Sequence, residues 1–321
     1  MLRVGLVGAG HLGKIHLKLL HQSDKYELVG FHDKDVESGK HLEAEFGYTF
    51  FEDFDELLSQ VEVIDIVTPT LYHYDYAQKA IDRGIHFFIE KPVTQTLEQA
   101  ESIMKSSSEK GIKAQVGHVE RYNPAFIATK GYIHHPMFIE IHRLAEFNPR
   151  GTDVSVVLDL MIHDLDILLS IVKSEIKEIH ASGVCVVSKT PDIANARIEF
   201  ENGCVANLTT SRISMKAMRK CRFFQQDAYI SVDFFEKKAE VIRMKEAPKE
   251  PSEFDMIIEN AEGEKNQILF EYPKIEPNNA ILDELNAFAD SIEKNTPIQV
   301  PLKDGTEALK VALKIAELIN K

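Results

Sequence analysis

Through residues 1–120, short aliphatic runs alternate with stretches in which apolar side chains recur every three or four positions. The runs Arg3–Val7, Glu27–His32, Val63–Val67, His86–Ile89 and Lys113–Val116 predict strands. Between them, Leu12–Leu20, Val36–Phe46, Tyr74–Arg83 and Leu97–Lys110 carry the helical period. Strands that alternate with helices predict a parallel, doubly wound sheet, because each parallel crossover must return along a face of the sheet. After Val119 the texture changes. One long helical pattern, Val154–Val172, is followed by strand-like segments near 176–187, 194–200, 204–211, 221–225 and 229–235. Asn202-Gly203 between two of these is a hairpin signal. Strands without intervening helices predict a mainly antiparallel sheet. Helical patterns over Ala280–Glu293 and Gly305–Ile319 close the chain, and Lys245–Glu264, rich in Pro, Glu and Lys, reads as an exposed loop. The expected architecture is an N-terminal Rossmann domain over 1–120, then an α+β domain over 121–321 with an open sheet.

At 321 residues, with 44% apolar and 27% charged side chains, the chain can build two ordinary globular cores. A net charge of −14 makes it a poor partner for nucleic acid or anionic lipid. No apolar run reaches the ~20 residues that a membrane helix needs. The chain opens directly on LRVGLVGAG, without the features of a secretory leader. Three scattered cysteines, Cys185, Cys204 and Cys221, argue against a disulfide framework or a cysteine zinc site. Both features predict a reducing cytoplasm.

Gly8-Ala9-Gly10-His11-Leu12-Gly13 is a G-x-G-x-x-G between a predicted strand and a predicted helix, the context in which it binds a dinucleotide. Gly8 suits the tight turn, Gly10 the approach of a pyrophosphate, and Gly13 close packing of helix on sheet. His11 and Leu12 complete the loop. The helix N-terminus offers N–H groups and partial positive charge to phosphate. Asp33 follows 20 residues beyond Gly13, where an acid can accept from ribose hydroxyls and repel a 2′-phosphate. NAD is therefore expected rather than NADP, with Lys34 partly offsetting the repulsion. Thr68 and Pro69 end a strand, and Glu90-Lys91-Pro92 end the apolar run Phe87-Phe88-Ile89. The carboxyl ends of parallel strands are where ligands collect, so these residues are expected at the cofactor edge. His73 opens the next helix there, as a cofactor contact or as a surface histidine.

On the Val154–Val172 helix, Asp159, His163 and Asp166 fall on one face at 3.6 residues per turn. Such a polar stripe is solvated, paired or functional, because burying it unpaired costs several kcal/mol (~2–7 per group). A metal site lacks further ligands at a suitable spacing, and none is expected. A salt-bridge network is one reading. Acid–base catalysis is the other: His163 titrates near neutrality, and Asp159 can orient it. Removing hydride from a carbinol requires a proton acceptor and a cation beside the developing alkoxide, and Lys91 supplies the cation.

Together, Gly8–Gly13, Thr68-Pro69, Glu90-Lys91-Pro92 and Asp159-x-x-x-His163 resemble the Gfo/Idh/MocA oxidoreductases over essentially the whole chain. The resemblance implies a Rossmann domain and a C-terminal sheet used for contacts between copies, in a homodimer or homotetramer. It implies that Lys91, Asp159 and His163 act on a sugar or polyol hydroxyl, and that the Lys91–Pro92 peptide is cis. The sequence departs from the family's Asp-x-Gly-x-His pattern by placing Met161 where glycine is common. The run Val116–Pro124, with Arg121, Tyr122 and Asn123, resembles members that oxidise the 3-hydroxyl of UDP-N-acetylglucosamine. That implies substrate contacts from Arg121 to phosphate and from Tyr122 and Asn123 to the sugar; domain-junction packing with a cap at Asn123 is the plainer reading. The basic stretch Arg212, Lys216, Arg219, Lys220 and Arg222 offers either diphosphate contacts or a solvated face. The alternatives are a dehydrogenase of a free sugar, inositol or amino-sugar, and a non-catalytic dinucleotide-sensing regulator.

Overall fold

The computed structural model describes residues 1–148, 154–250 and 252–320. They divide into two compact units, Met1–Val119 with Asn279–Lys310, and Glu120–Asn278 with Val311–Lys321.

In the first unit, β1 (Leu2–Val7), β2 (Tyr26–His32), β3 (Phe50–Phe51), β4 (Val63–Ile66), β5 (His86–Glu90) and β6 (Ala114–Gly117) form one sheet. Its order is β3-β2-β1-β4-β5-β6 and every pairing is parallel. Strand order reverses between β1 and β4, which opens a crevice at their carboxyl ends. Five helices make the crossovers: α1 (His11–Gln22), α2 (Val36–Phe46), α3 (Phe54–Leu58), α4 (His73–Asp82) and α5 (Leu97–Glu109). Local signals set their ends. Asp35 caps α2 by accepting from Ser38 N–H, and Gly47 stops it at φ 74°, a left-handed conformation that glycine adopts freely. The predicted strands and helices of this region are all present. The pattern missed β3 and α3, which at two and five residues are too short to display a period. The helix Ala280–Glu293 returns to this unit, where Tyr26 Oη donates to Leu285 O at 2.7 Å and Phe288 lies against Phe88.

The second unit holds α6 (Pro124–Thr129), β7 (Phe138–Leu144), α7 (Ile162–Ile171), β8 (Ile176–Val184), β9 (Ile193–Phe200), β10 (Val205–Ser211), β11 (Met218–Gln225), β12 (Ala228–Asp233), β13 (Lys238–Glu246), β14 (Met256–Glu259) and β15 (Lys265–Glu271). Its nine-stranded sheet runs β14-β15-β13-β12-β11-β7-β10-β9-β8, antiparallel except for β7 with β10. The Asn202-Gly203 hairpin is formed, with Gly203 at φ 85° and Phe200 N–H on Cys204 O at 2.9 Å. Alternation of buried and half-buried positions along β7, and along β10 up to Thr210, shows one covered face.

Three expectations are corrected here. β7 sits mid-sheet but escaped the pattern because Glu140, His142 and Arg143 break its apolar run. Lys245–Glu264 is not all loop, since it contains the end of β13 and all of β14, while Pro251 lies outside the described residues. The long helix over Val154–Val172 is not continuous α-helix. Val157–Met161 forms a π-turn in which Ile162 N–H reaches Val157 O, five residues back, before α7 begins.

Candidate functional site

The glycine loop folds as its residue types require. Gly8 has φ +95°, and a Cβ there would stand 2.6 Å from Thr68 N, so only glycine fits between β1 and β4. A Cβ on Gly13 would run into Gly8 O, which explains how α1 approaches its own loop so closely. At Gly10 nothing lies within 4 Å of a Cβ position, and the residue is exposed. His11 and Leu12 are exposed beside it, in the first turn of α1. This open space at a helix N-terminus fits the phosphates of a dinucleotide. Asp33 Oδ2 accepts from Ala9 N–H at 2.7 Å, and Oδ1 from Asp35 N–H at 2.9 Å, so the acid is tied to the loop while keeping lone pairs for ribose hydroxyls. Lys34 turns onto Tyr72, its Nζ 2.6 Å from the phenol oxygen and 4.2 Å from the ring centre.

His73 is no surface histidine. It is buried, with Nε2 2.8 Å from Thr68 O and Nδ1 2.9 Å from Pro92 O. Burial holds its pKa below the ordinary value, and the nearby Lys91 charge pushes the same way, against the pull of the carbonyls. A ring in this position ties the Thr68-Pro69 turn after β4 to the Lys91-Pro92 turn after β5. The Lys91–Pro92 peptide is cis.

Glu90 is buried, and its Oε2 accepts from Lys91 N–H at 3.2 Å. Burial raises its pKa, while His16 and Lys91 pull it down. Two residues near it were missed by sequence reasoning. His16 Nδ1 lies 2.8 Å from Asp65 Oδ2, and its Nε2 lies 3.6 Å from Glu90 Oε1, with both His16 and Asp65 fully buried. The available signals were a lone carboxylate inside the apolar strand Val63–Ile66 and a histidine one helical turn after Gly13.

In the second unit, the expected polar stripe divides. Asp159 lies within the π-turn and His163 at the start of α7, both half-buried. Met161 between them is fully buried. Asp166 instead faces Arg121, whose Nε and Nη2 donate to its two oxygens at 2.6 and 2.7 Å. Asn123 caps α6 through Ala125 N–H, and its Nδ2 donates to Phe234 O and Glu120 Oε2. Tyr122 is buried, and its carbonyl accepts from Asn278 Nδ2. Arg121 and Asn123 are therefore held by protein groups, as the packing alternative requires. A cluster absent from the sequence expectations lies beside them. Buried Arg143 donates to Asp164 through Nε and Nη2 and to Glu120 through Nη1, at 2.8–3.0 Å. The basic stretch is likewise engaged: Arg212 donates to Val154 O, Arg219 approaches Glu120, Lys220 pairs with Asp233 and Arg222 with Glu140. Lys216 is exposed.

Among the described residues, no group of His, Cys, Asp and Glu could hold a metal ion, and no helix is long and apolar enough to cross a membrane.

Known proteins match both units. Residues 2–118 match a family model described as the GFO_IDH_MocA oxidoreductase family with an NAD-binding Rossmann fold, and residues 132–230 match the GFO/IDH/MocA C-terminal domain. A UDP-N-acetylglucosamine 3-dehydrogenase of Acidithiobacillus ferrooxidans is 38% identical over 239 residues, 73% of this chain and 74% of its own. A scyllo-inositol 2-dehydrogenase (NAD(+)) of Bacillus subtilis is 29% identical over 231 residues, 66% of this chain and 68% of its own. A solved structure of UDP-N-acetylglucosamine 3-dehydrogenase GnnA from A. ferrooxidans matches with a TM-score of 0.89 at 30% identity, covering 99% of this chain and 97% of that one.

Proposed function

The chain belongs to the GFO/IDH/MocA oxidoreductases, enzymes that act on CH–OH groups, and on that footing we propose that it oxidises C3 of a UDP-N-acetylhexosamine with NAD. The observation that carries this reading is the 38% identity to a UDP-N-acetylglucosamine 3-dehydrogenase over 73% of the chain. Gly8, Gly10, His11, Leu12 and Gly13 would hold the pyrophosphate, and Asp33 the adenosine ribose. Thr68, Pro69 and Glu90-Lys91 frame the nicotinamide side, with His73 as the residue that positions both turns. Bound NAD supplies the hydride acceptor. His163, oriented by Asp159, takes the alcohol proton, and the Lys91 ammonium hydrogen-bonds the same oxygen as negative charge builds on it. Arg121, Tyr122 and Asn123 contribute to the substrate side chiefly by fixing its walls. The open nine-stranded sheet is proposed to carry contacts between copies in a homodimer or homotetramer, which sedimentation of the purified protein measures.

The test is to supply NAD or NADP with a panel of UDP-sugars, free sugars and inositols and follow reduced nicotinamide. Turnover is expected with NAD and a UDP-N-acetylhexosamine. Measurable NAD binding with no turnover on any member would sink the reading in favour of a dinucleotide-sensing regulator. Turnover confined to a free sugar or polyol would select the alternative, which one observation favours: Arg212, Lys220 and Arg222 of the basic stretch are engaged by this protein's own acids and carbonyls. Lys91→Ala and His163→Ala should each lower kcat by about 10²–10⁴-fold with NAD affinity near wild type.

A further inference from the structure

We propose that His16 is a positioning residue for Lys91: it holds a proton between the buried carboxylates of Asp65, to which it is hydrogen-bonded, and Glu90, which it faces, and so keeps negative charge on Glu90 near the Lys91 ammonium. The inference rests on the reading that Lys91 serves the reacting oxygen, and deepens it.

The geometry forms a line through the first unit. Asp65 on β4 touches His16 on α1 at 2.8 Å, and His16 faces Glu90 on β5 at 3.6 Å. Glu90 in turn accepts the backbone N–H of Lys91 at 3.2 Å, and the charge of the Lys91 side chain bears on its carboxylate. Nothing about packing requires this. The surroundings are apolar, with the Phe88 ring 6.0 Å from the His16 ring, and β4 is otherwise aliphatic. A buried ionic group of this kind is weak evidence for stability, since apolar residues of similar volume commonly serve as well. Space for the Glu90 carboxylate has to be left open. A Cβ on Gly117 would stand 2.6 Å from Glu90 Oε1, so β6 carries glycine where the carboxylate lies.

The placement of His16 also follows from the dinucleotide loop. It lies three positions after Gly13, so both lie on the face of α1 that meets the sheet. One helix thus presents its N-terminus to phosphate and its first buried turn to the Glu90 carboxylate.

The charged groups bearing on His16 are Asp65 and Glu90, and those bearing on Glu90 are His16, Lys91 and Asp65. The Asp65 charge also bears on Tyr26 of β2. With His16 protonated, Asp65, His16, Glu90 and Lys91 are neutral as a group. With His16 neutral, the group carries one excess negative charge in a dry site, and Glu90 is the carboxylate driven to take a proton. That would remove the counter-charge from Lys91.

The decisive measurement is nitrogen NMR of histidine-labelled full-length protein, with the His16 signals assigned by their loss in His16→Asn. Glu90→Gln should move the His16 titration to lower pH, and Lys91→Met should move it to higher pH. An unmoved titration in both variants overturns the proposal. This arm needs no substrate, so it stands or falls separately from the sugar assignment. The activity arm uses the sugar that turns over. His16→Asn, Asp65→Asn and Glu90→Gln should each shift the alkaline limb of the kcat/KM profile to lower pH, and His16→Asn with Glu90→Gln should shift it no further than either alone. Asp65→Asn keeps the side-chain shape if His16→Asn folds poorly. Lower thermal stability with an unshifted pH profile in all three would mean a structural role only, and the proposal would fail.

Discussion

Each unit buries a basic side chain between two carboxylates, but with different chemistry. In the second unit it is Arg143, held by Asp164 and Glu120. In the first it is His16, between Asp65 and Glu90. A guanidinium stays charged at any pH the protein meets, and its planar fork satisfies several oxygens at once. Arg143 therefore acts as a permanent fastener, joining β7 to α7 and to the turn Val119–Tyr122, which carries Arg121 and leads into the cap residue Asn123. An imidazole offers two donors at most and loses one of them near neutrality. A permanently charged group stands between the carboxylates in one place and a titratable one in the other.

The largest effect should come from breaking the permanent cluster. Arg143→Met strands two buried carboxylates and should cost about 3–5 kcal/mol of stability in a urea titration, if the variant folds. Arg143→Lys should recover only part of that, because an ammonium cannot reproduce the bidentate contact with Asp164.

Smaller, but more telling, is the pH dependence of the two buried histidines in the first unit. The His16 pKa is raised: burial lowers it, but the charge of Asp65 and its hydrogen bond outweigh that. Its contribution to stability is therefore fully present below the unfolded pKa of about 6.5 and is lost as pH rises through the folded value. The His73 pKa is lowered, burial being the main cause. Below about pH 6.5 the unfolded chain binds that proton more readily, so the wild-type contribution of His73 shrinks on acidification. Relative to wild type, His16→Asn should thus be most destabilising in acid and His73→Asn most destabilising in alkali. Each slope is limited to about 1.4 kcal/mol per pH unit, and denaturant midpoints from pH 5 to 9 measure both. Slopes of the same sign would break the distinction between the carboxylate-bound and the carbonyl-bound ring.

The smallest change in stability belongs to the glycine loop. Gly10→Ala meets open space and should stay within about 0.5 kcal/mol of wild type. It should nevertheless weaken NAD by at least about tenfold, equivalent to about 1.4 kcal/mol, as titration calorimetry would read. Gly13→Ala should lose both stability and affinity, since its Cβ would run into Gly8 O. Unchanged affinity in Gly10→Ala would place the phosphates elsewhere.

Much of this was legible along the chain. Local periodicity placed the five main strands and four crossover helices of the first unit, because strands buried on both faces read as continuous apolar runs and their crossovers as helical stripes. The Asn202-Gly203 turn declared itself, since both residue types tolerate the conformation a tight hairpin imposes. G-x-G-x-x-G showed its chemistry for the same reason: each glycine answers a short-range steric demand. Where residues answered to distant partners, the pattern failed. Arg143 and Glu140 hid β7 because their charges read as solvent-facing, yet Arg143 is buried against Asp164 and Glu120. Asp166 read as one of a polar stripe with Asp159 and His163, open between pairing and catalysis, until Arg121, 45 positions away, claimed it.

By itself, then, the sequence determined the order of elements, the dinucleotide loop and the identity of Lys91, Asp159 and His163 as the groups worth testing, because those features depend on neighbours within a turn or a strand. Only the tertiary structure decided which charges are paired. His16 meets Asp65 across 49 positions, and whether such a group is a solvated side chain or a buried proton carrier depends on how far it is removed from water and on what stands opposite it, which no local pattern records.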